Sequence, residues 1–420
     1  MLDRRRATLL KDLPKEIIDK ILVRLTSKDV GRFRAVCTSW RSATSTPEFM
    51  LEHHRRQPSL PIINGDGRSA SLVVFRGTGA RGSSQRLWPF LPGFKHRSEN
   101  RLRGACDGFL IICQRSRVGS RFYIYNPVIR KHACLPQPQV GQTMYNSIIG
   151  FYRYHPTGEY RVLWVSRSHH SWSHHLSKPT LYVLTVGSDK PRHVSVRTPK
   201  VSPPSVKHKL LEGLSSVSYY FPPVDHRGSL HWCPYGGINI TEGGGDIVVF
   251  EAKAESFRWM HRPAHVWPFK LFDMKGALAF WAGSAHSSIG YNSYTIMDVW
   301  VMQDYEAEIW AFKYRIDLST VEASRQLYLP SFKKKKKKLI YLTVQHFNDM
   351  AVLNERELLI MYNGNRILRC DIDGKFLGIV SLGKSRAWLT EHRLQESIVP
   401  IPYHEMQEED EESPFSMGHV

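Results

Sequence analysis

One stretch of the sequence matches a ligand-binding pattern by residue type and spacing. Residues Gly378–Ser385 fit the phosphate-binding pattern G-x-x-x-x-G-K-S. That pattern requires a flexible loop between a strand and a helix, whose backbone N–H groups surround a phosphate. The residues between the glycines, Ile379 to Leu382, are instead typical of a strand that completes a hairpin after Asp373-Gly374. We therefore expect no nucleotide to bind here.

A second stretch, HHSWSHH, offers the four imidazoles of His169, His170, His174 and His175 to a metal ion. Imidazole is a common metal ligand, but a specific site also needs companions at fixed spacing. No Cys or acidic residue accompanies these histidines, and they lie among Ser and Lys between two strand-like runs. The sequence also lacks G-x-S-x-G and H-E-x-x-H motifs. It predicts a polar loop, no metal, no cofactor and no catalytic residues.

Amino-acid composition indicates a globular protein and the compartment in which it folds. A 420-residue chain with 42% hydrophobic residues has enough apolar surface for one large or several smaller globular domains. Its six cysteines form no C-x-x-C pair, which favours a reducing compartment. No run is apolar enough to serve as a signal peptide core or to span a bilayer, so we expect a soluble intracellular protein.

Charge is distributed unevenly along the chain. The formal net charge of +20 includes an uninterrupted run at Lys333–Lys338, while six acidic residues fall between Glu405 and Glu412. Both runs are typical of solvated loops or tails. The remaining positive excess indicates acidic or phosphorylated partners, or nonspecific affinity for nucleic acid.

The first 56 residues are predicted to be helical. Pro14 suits the first turn of a helix, and apolar residues from Ile17 to Leu25 then recur on one helical face. Ser27 is a candidate cap for a second helix that carries Phe33 and Trp40, and Thr46-Pro47 begins a third. Three helices this short cannot bury two apolar stripes against one another. The segment therefore either docks on the rest of the chain or forms an interface with a partner.

The remainder has the pattern of a large all-β domain. Short strand-like runs bounded by Gly, Pro, Asn and Asp recur almost to the end, and paired strands start again every 51 to 69 residues, as in 122–136, 181–199 and 247–263. Four strands per module at this period predict a kelch-like β-propeller of about six blades. The strands SLVVF (71–75) and SIVPI (397–401) are expected to complete one sheet. A two-sheet sandwich with long insertions is the alternative.

The N-terminal segment resembles the F-box. The resemblance rests on Leu13-Pro14, Ile17-Ile18, Ile21-Leu22, Leu25, Val30, Phe33, Val36-Cys37 and Trp40. It implies that these residues bind the Skp-type adaptor of a Skp–cullin–F-box ubiquitin ligase: Leu13, Pro14, Ile17, Ile18, Ile21, Leu22, Leu25, Val30, Phe33, Val36, Cys37 and Trp40. Thr26 and Thr38 depart from the usual pattern without removing an apolar anchor.

Residues 104 to about 380 resemble the F-box-associated region of plant F-box proteins, especially those of grasses. The matching stretches include GACDGFLIIC, YIYNPVIRKHACLP and DIVVFEAKAESFRWMHRP. The two resemblances imply an F-box domain at 8–56, a linker at 57–66, a β-propeller-like domain at 67–403 and an acidic disordered tail at 404–420. They also imply a non-catalytic substrate receptor, linked through the adaptor to a cullin, whose protein target is unknown.

Two alternatives to a substrate receptor can be stated. A basic nuclear scaffold or nucleic-acid-binding protein would account for the charge, and its binding would fall steeply with salt. A propeller oxidoreductase would need a set of metal ligands that the sequence lacks.

The run Lys333–Lys338 predicts a nuclear-import signal, and with it a protein of nucleus and cytoplasm, although a solvated loop without a role explains the run as well.

Overall fold

The computed structural model describes two regions of different secondary structure. The described residues are 15–36, 38–65, 72–76, 83–87, 100–116, 119–139, 144–168, 178–198, 204–218, 221–233, 247–262, 269–284, 295–328, 344, 347–363, 366–380 and 387–402. Within them a small helical domain precedes a large β domain. None of the described helices is long and apolar enough to cross a membrane.

Four helical segments form the N-terminal domain. They are α1 (Lys15–Leu22), α2 (Ser27–Val36), α3 (Thr38–Ala43) and α4 (Pro47–Arg56). The predicted start of the last helix is confirmed, because Oγ1 of Thr46 accepts a hydrogen bond from the N–H of Phe49. The predicted cap at Ser27 is wrong. The hydroxyl of Thr26 accepts the N–H of Asp29 instead, and Ser27 is buried.

The described strands form six four-stranded antiparallel sheets, named here as blades. Blade 1 contains β4 (Asn100–Cys106), β5 (Phe109–Ser116), β6 (Gly119–Asn126) and β7 (Lys131–Cys134). Blade 2 contains β8 (Met144–Tyr154), β9 (Glu159–Ser168), β10 (Thr180–Thr185) and β11 (Arg192–Val194). Blade 3 contains β12 (Val224–His226), β13 (Ser229–Trp232), β14 (Ile247–Glu251) and β15 (Ser256–Met260).

The remaining sheets follow the same order of strands. Blade 4 contains β16 (Phe269–Met274), β17 (Ala277–Ser284), β18 (Ile296–Asp304) and β19 (Ile309–Asp317). Blade 5 contains β20 (Phe347–Val352), β21 (Glu357–Tyr362), β22 (Arg366–Asp371) and β23 (Phe376–Val380). The closing blade contains β24 (Ala387–Gln395), β1 (Ser59–Gly65), β2 (Leu72–Arg76) and β3 (Ser83–Leu87). Helix α5 (Pro204–Val217) lies between blades 2 and 3 in the chain, and α6 (Leu318–Tyr328) lies between blades 4 and 5.

Buried apolar clusters join each blade to the next around the ring. Pairs of cluster members from neighbouring blades are Leu60 and Leu110, Ile124 and Val162, Leu163 and Phe250, Val249 and Phe280, Val299 and Leu358, and Leu359 and Ile63. Each blade thus buries both of its faces, as neighbouring sheets of a propeller do. The predicted all-β propeller fold is confirmed.

The closing blade joins the two ends of the β domain, but through other strands than predicted. Antiparallel pairing places Ser59 opposite Gln395 and Ile63 opposite Leu389. Within the run 71–75, residues 72–75 belong to β2, but residues 397–401 form no strand, and they include the buried Ser397 and Ile398. The interpretation of 57–66 as a linker is therefore wrong for Ser59–Gly65, which is a central strand. A fragment that begins at residue 67 would lack this strand.

The two faces of the propeller differ in their connections. In blades 1 to 5 the first and second strands, and the third and fourth, are joined by turns of two to six residues on one face, the turn face. The opposite ends of the strands define the other face, the loop face. The second-to-third connections and those between blades start from these strand ends, and the links between blades include 195–223 and 318–346 in the chain. Residues Ser397–Pro402 run along the turn face, since Asn126 Nδ2, beside the turn after β6, donates to the carbonyls of Ser397 and Val399 at 3.0 and 2.9 Å.

Two glycines in matching turns allow a test of how tightly the C-terminal segment packs on the turn face. Gly108 and Gly276 have nearly equal positive φ, +84° and +82°. A Cβ on Gly108 would lie 2.4 Å from Cβ of Ser397, whereas one on Gly276 would have no neighbour within 4 Å. We expect Gly276→Ala to cost about 1 kcal/mol of unfolding free energy through φ alone. Gly108→Ala should cost clearly more in the same denaturant titration, and equal costs would contradict the packing.

Buried His231 predicts a dependence of stability on pH. Its Nε2 lies 2.9 Å from the hydroxyl of Tyr305 and its Nδ1 3.2 Å from the carbonyl of Val224. Burial lowers its pKa from 6.5 to about 4. The unfolded chain therefore binds a proton at this residue below pH 6.5 while the folded chain does not, so acidification favours unfolding. Between pH 6.5 and 4, His231→Gln should lose less unfolding free energy than the wild type. An unchanged pH dependence would count against this assignment.

Candidate protein-binding surface

Helix α1 presents an apolar patch that is exposed in the part of the chain that the structure describes. Ile17 and Ile21 are 43% and 45% exposed, although apolar side chains of this size are usually buried. They are four residues apart and so lie on the same face of the helix, one turn above the other. This pair is named here the isoleucine patch. An exposed patch of this kind is typical of a protein-binding surface.

The opposite face of α1 belongs to a buried cluster shared with the propeller. Leu22 and Val30 are 2% and 0% exposed and pack with Phe49, Met50 and Ile398. Val128, Val399, Ile18, Leu25 and Phe33 are partly buried around them. The expectation that the short helices dock on the rest of the chain is confirmed for this face. The expectation of a partner interface stays a prediction for the exposed face.

A polar contact at the end of α4 holds the helical domain in place. The last carbonyl groups of a helix have no partner within it. The side-chain Nε2 of Gln395 lies 2.9 Å from the carbonyl of His54, 3.3 Å from that of Arg55 and 3.0 Å from that of Gln57. Gln395 is the last residue of β24, so the closing strand of the propeller also caps the helix that precedes β1.

His54 extends this contact to blade 1. Its Nδ1 donates to the carbonyl of Glu396 at 3.0 Å, and its Nε2 lies 3.5 Å from Oδ1 of Asp107 in the turn after β4. Burial opposes ionisation of Asp107, but the hydrogen bond from His54 and the charge of Arg153 outweigh it and lower its pKa. The hydroxyl of Tyr160 donates to the same carboxylate at 3.2 Å. Asp107 is thus held as an anion that faces the helical domain.

Charged residues on the inner strands make a second buried group, inside the propeller. Nζ of Lys270 on β16 lies 2.6 Å from Oδ1 of Asp349 on β20 and also contacts Glu391 on β24. Burial and the charge of Asp349 raise the pKa of Glu391 to about 8. These three side chains link blade 4, blade 5 and the closing blade through contacts with one another.

The other motifs singled out in the sequence add no chemistry to the described residues. No group of three or more His, Cys, Asp or Glu among the described residues is arranged to hold a metal ion. Gly378, Ile379 and Val380, which begin the phosphate-loop match, lie in β23. The histidines of 169–175, the rest of the match, the run Lys333–Lys338 and the segment 404–420 lie outside the described residues.

Comparison with protein families agrees with the architecture. Residues 10–52 match the family model of the F-box domain, and residues 96–353 match that of the F-box associated beta propeller domain. The second match covers more than half of the chain. The chain belongs to the F-box-associated β-propeller family. The helical domain is accordingly an F-box domain.

Curated relatives come from Arabidopsis thaliana. The F-box protein At1g52495 is 25% identical over 72% of this chain and 68% of its own length. The putative F-box protein At4g38870 is 26% identical over 72% of this chain and 67% of its own length. The putative F-box protein At3g16210 is 27% identical over 34% of this chain and 37% of its own length. The resemblance to plant F-box proteins is confirmed.

The structure separates the predicted adaptor contacts into three groups. Ile17 and Ile21 are exposed, and Trp40 is half-buried with its ring centroid 4.8 Å from that of Phe33. Leu22 and Val30 have almost no exposed surface, and their role as adaptor contacts stays a prediction. They build the core on which α1 rests. Ile18, Leu25 and Phe33 are partly buried in the same cluster. Leu13, Pro14 and Cys37 lie outside the described residues, and Val36 ends α2.

Sequence reasoning missed the residues that attach the F-box domain to the propeller. Gln395, Ile398 and Asn126 are remote from the helices in the chain and belong to no periodic pattern that could single them out. The Asp-Gly pair at 107–108 indicates a hairpin turn. Nothing in the sequence indicates that Asp107 in this turn contacts His54.

The contact of Gln395 with α4 can be tested by one substitution and a matched control. Gln395→Ala removes the amide group whose two N–H donors are shared among the carbonyls of His54 and Arg55 at the end of α4 and of Gln57 just after it, and a hydrogen bond of this kind contributes about 1 kcal/mol. Hydrogen exchange of α4 amides should then become faster while that of β5 and β6 stays unchanged. Gln137→Ala, which removes a single 2.9 Å hydrogen bond to the carbonyl of Ser120 within blade 1, should leave α4 protected. Faster exchange throughout the propeller would instead show a general loss of stability.

Proposed function

We propose that this protein is the substrate receptor of a Skp–cullin–F-box ubiquitin ligase. Proteins of the F-box family act as non-catalytic adaptors in such ligases, and the chain has both the F-box and the associated propeller. In this role the F-box domain binds the Skp-type adaptor and, through it, the cullin, while the propeller binds a protein target. The isoleucine patch is the observation that carries the proposal.

The patch has two properties that suit an adaptor-binding surface. It is apolar and exposed on a helix whose opposite face is anchored, so binding a partner there costs no loss of packing elsewhere. Trp40 and the partly buried Phe33 add aromatic area on the same domain. Interfaces take most of their binding energy from a few such apolar and aromatic anchors.

In the proposed role, the attachment of the F-box domain supports a contribution to the reaction through proximity alone. Because α4 is fixed to the turn face through Gln395, His54 and Ile398, the domain has a defined orientation relative to the blades. A target held on the propeller would then stay at a defined distance from the enzyme that carries ubiquitin. Holding two reactants close together raises their effective concentration, which is the contribution expected of a receptor.

The isoleucine patch can be tested by comparing two adjacent residues. Ile21→Asp places a carboxylate on the exposed patch, and loss of such an anchor typically costs about 2–4 kcal/mol of binding. Co-purification with the Skp-type adaptor should therefore fail while the melting temperature stays unchanged. Leu22→Asp buries a charge at a residue that is 2% exposed, so it should unfold the F-box domain and lower stability as well.

Leu327→Asp is the matched control, because Leu327 is an equally apolar residue that is 83% exposed on α6 of the propeller. It should bind the adaptor as the wild type does. Normal adaptor binding by Ile21→Asp would overturn the assignment of the patch.

A further inference from the structure

A cavity of about 580 Å³ lies on the loop face beside blade 4. It is named here the blade 4 cavity, and it is lined by residues at the start of β18, at the end of β19, on α6 and just before β20. The strand ends among these are remote from the short turns. The F-box domain packs on the turn face, where His54 contacts Asp107, so the cavity is on the opposite side of the propeller. Its volume is within the range of ligand-binding cavities, roughly 300–1,000 Å³.

The blade 4 cavity combines apolar and polar lining. Ile296, Leu318 and Val344 provide apolar surface. Another wall is one face of α6, because residues three and four positions apart lie on the same side of a helix. The members of this face that line the cavity are Ser319, Glu322, Ala323 and Gln326. A ligand that fits the cavity therefore needs an apolar part and a polar part.

Among the described residues that line the cavity, the charged ones are two acids, Asp317 and Glu322. Glu322 already has a partner, because Nε and Nη2 of Arg325 donate to its carboxylate at 2.7 and 2.6 Å. The N–H of Val344 donates to the same group at 3.0 Å. Burial opposes ionisation of Glu322, but these hydrogen bonds outweigh it and lower its pKa. Glu322 is thus an anion whose charge is balanced by Arg325.

Asp317 is held in place but makes no ion pair with any described residue. Its Oδ1 accepts hydrogen bonds from the N–H and the hydroxyl of Ser319 at 2.8 and 2.7 Å, as a residue that caps α6 does. Its Oδ2 has no hydrogen-bond partner among the described residues. Arg315, two residues earlier, is paired with Asp298 at 2.6 and 2.8 Å, and Asp317 acts on it only through its charge. The cavity therefore contains one carboxylate oxygen that is free to accept.

Gln326 adds a second acceptor farther along the same wall. Its Nε2 donates to Oε1 of Glu322 at 3.1 Å, which leaves its own Oε1 without a partner among the described residues. Asp317 and Gln326 are separated by about 13 Å along the helix, at 1.5 Å per residue. An extended peptide covers that distance with about four residues. The two acceptors are thus spaced for a peptide segment rather than for a single side chain.

We propose that the blade 4 cavity binds an extended segment of the target protein through an arginine whose guanidinium pairs with Asp317. This inference rests on the proposed function, since it assigns the target to a site on the receptor. Arginine has both required parts, because its aliphatic stem packs on apolar surface while its guanidinium donates hydrogen bonds to a carboxylate. A backbone N–H of the same segment donates to Oε1 of Gln326.

The test uses the full chain in complex with the Skp-type adaptor and the capped peptide acetyl-Gly-Ser-Arg-Ser-Gly-amide, with binding measured by saturation-transfer NMR. The wild type should bind this peptide with transfer to the arginine side-chain protons. A peptide with Gln in place of Arg should bind about tenfold or more weakly, because it loses a charged hydrogen bond. Asp317→Asn should weaken binding of the arginine peptide by a similar factor without unfolding α6, since Asn caps helices as well as Asp does.

Asp304→Asn is the matched control. Asp304 belongs to the same blade but lies on the turn face, and its Oδ1 likewise accepts two backbone N–H groups, those of Glu306 and Ala307 at 3.0 Å each. The variant removes the same charge, so its affinity for the arginine peptide should stay within about twofold. A further variant, Ala323→Met, fills the cavity with a side chain that favours the helix, so it should weaken binding about tenfold or more at an unchanged melting temperature.

Five outcomes would overturn the proposal. They are absence of binding, equal binding of the Gln peptide, an equal loss in Asp317→Asn and Asp304→Asn, unchanged binding by Ala323→Met, and binding only after Lys333–Lys338 are replaced by Ser. The last would identify the chain's own lysine run as the occupant of the cavity. Co-purified adaptor in every sample separates these failures from a failure of the proposed function, because the isoleucine patch is unchanged in all variants.

Discussion

Pairing between β24 and β1 is the constraint on which the rest of the structure depends. These strands are more than 300 residues apart in the chain, yet they lie side by side in the closing blade, with Ser59 opposite Gln395. The pairing removes the open sheet edges that a ring of blades would otherwise leave. It also places the end of α4, which directly precedes β1, beside the end of β24. Closure of the ring and attachment of the F-box domain are therefore one event.

The position of residues 395–399, at the end of β24 and beside α4, explains why this short segment makes so many contacts. Gln395 caps α4, Ile398 enters the core beneath α1, and the carbonyls of Ser397 and Val399 accept both hydrogen bonds from Asn126. Each of these groups would be costly to bury without its partner. A segment with no regular secondary structure thus fixes the orientation of one domain on the other. That orientation is what a receptor needs if proximity is its contribution to the reaction.

The two faces of the propeller have separate uses in this arrangement. Short turns leave the turn face even enough for helices to pack on it, and Asp107 in one of these turns faces His54. On the loop face the connections range from two residues, between β5 and β6, to the long segment 195–223 between β11 and β12. Connections on the surface can vary without disturbing the blades, so a binding specificity can be built there on a rigid scaffold.

Much of this architecture was readable from residue patterns. The signals that predicted the elements act over a few neighbouring residues. They are the capping signals of Thr46 and the following proline, the 3.6-residue apolar spacing of α1 and the repeated paired strands. The sequence alone therefore determined a helical segment and an all-β propeller. The same local reading recognised the would-be phosphate loop as strand, and β23 indeed includes Gly378 to Val380. Exposure of Ile17 and burial of Leu22 could not be read in this way, because both are apolar residues of one helix. Only packing against Ile398 decided which face is covered.

Closure of the propeller ring is a second feature that local residue patterns could not predict in full. Residues 59–65 and 387–395 each have the composition of a strand, but pairing between distant strands depends on which arrangement buries the most surface for the whole chain. The sequence therefore predicted that the ends of the β domain meet, while the tertiary structure decided which strands pair. Local physical rules determine the elements of this protein. Which apolar side chains stay exposed depends on contacts that only the closed ring makes possible.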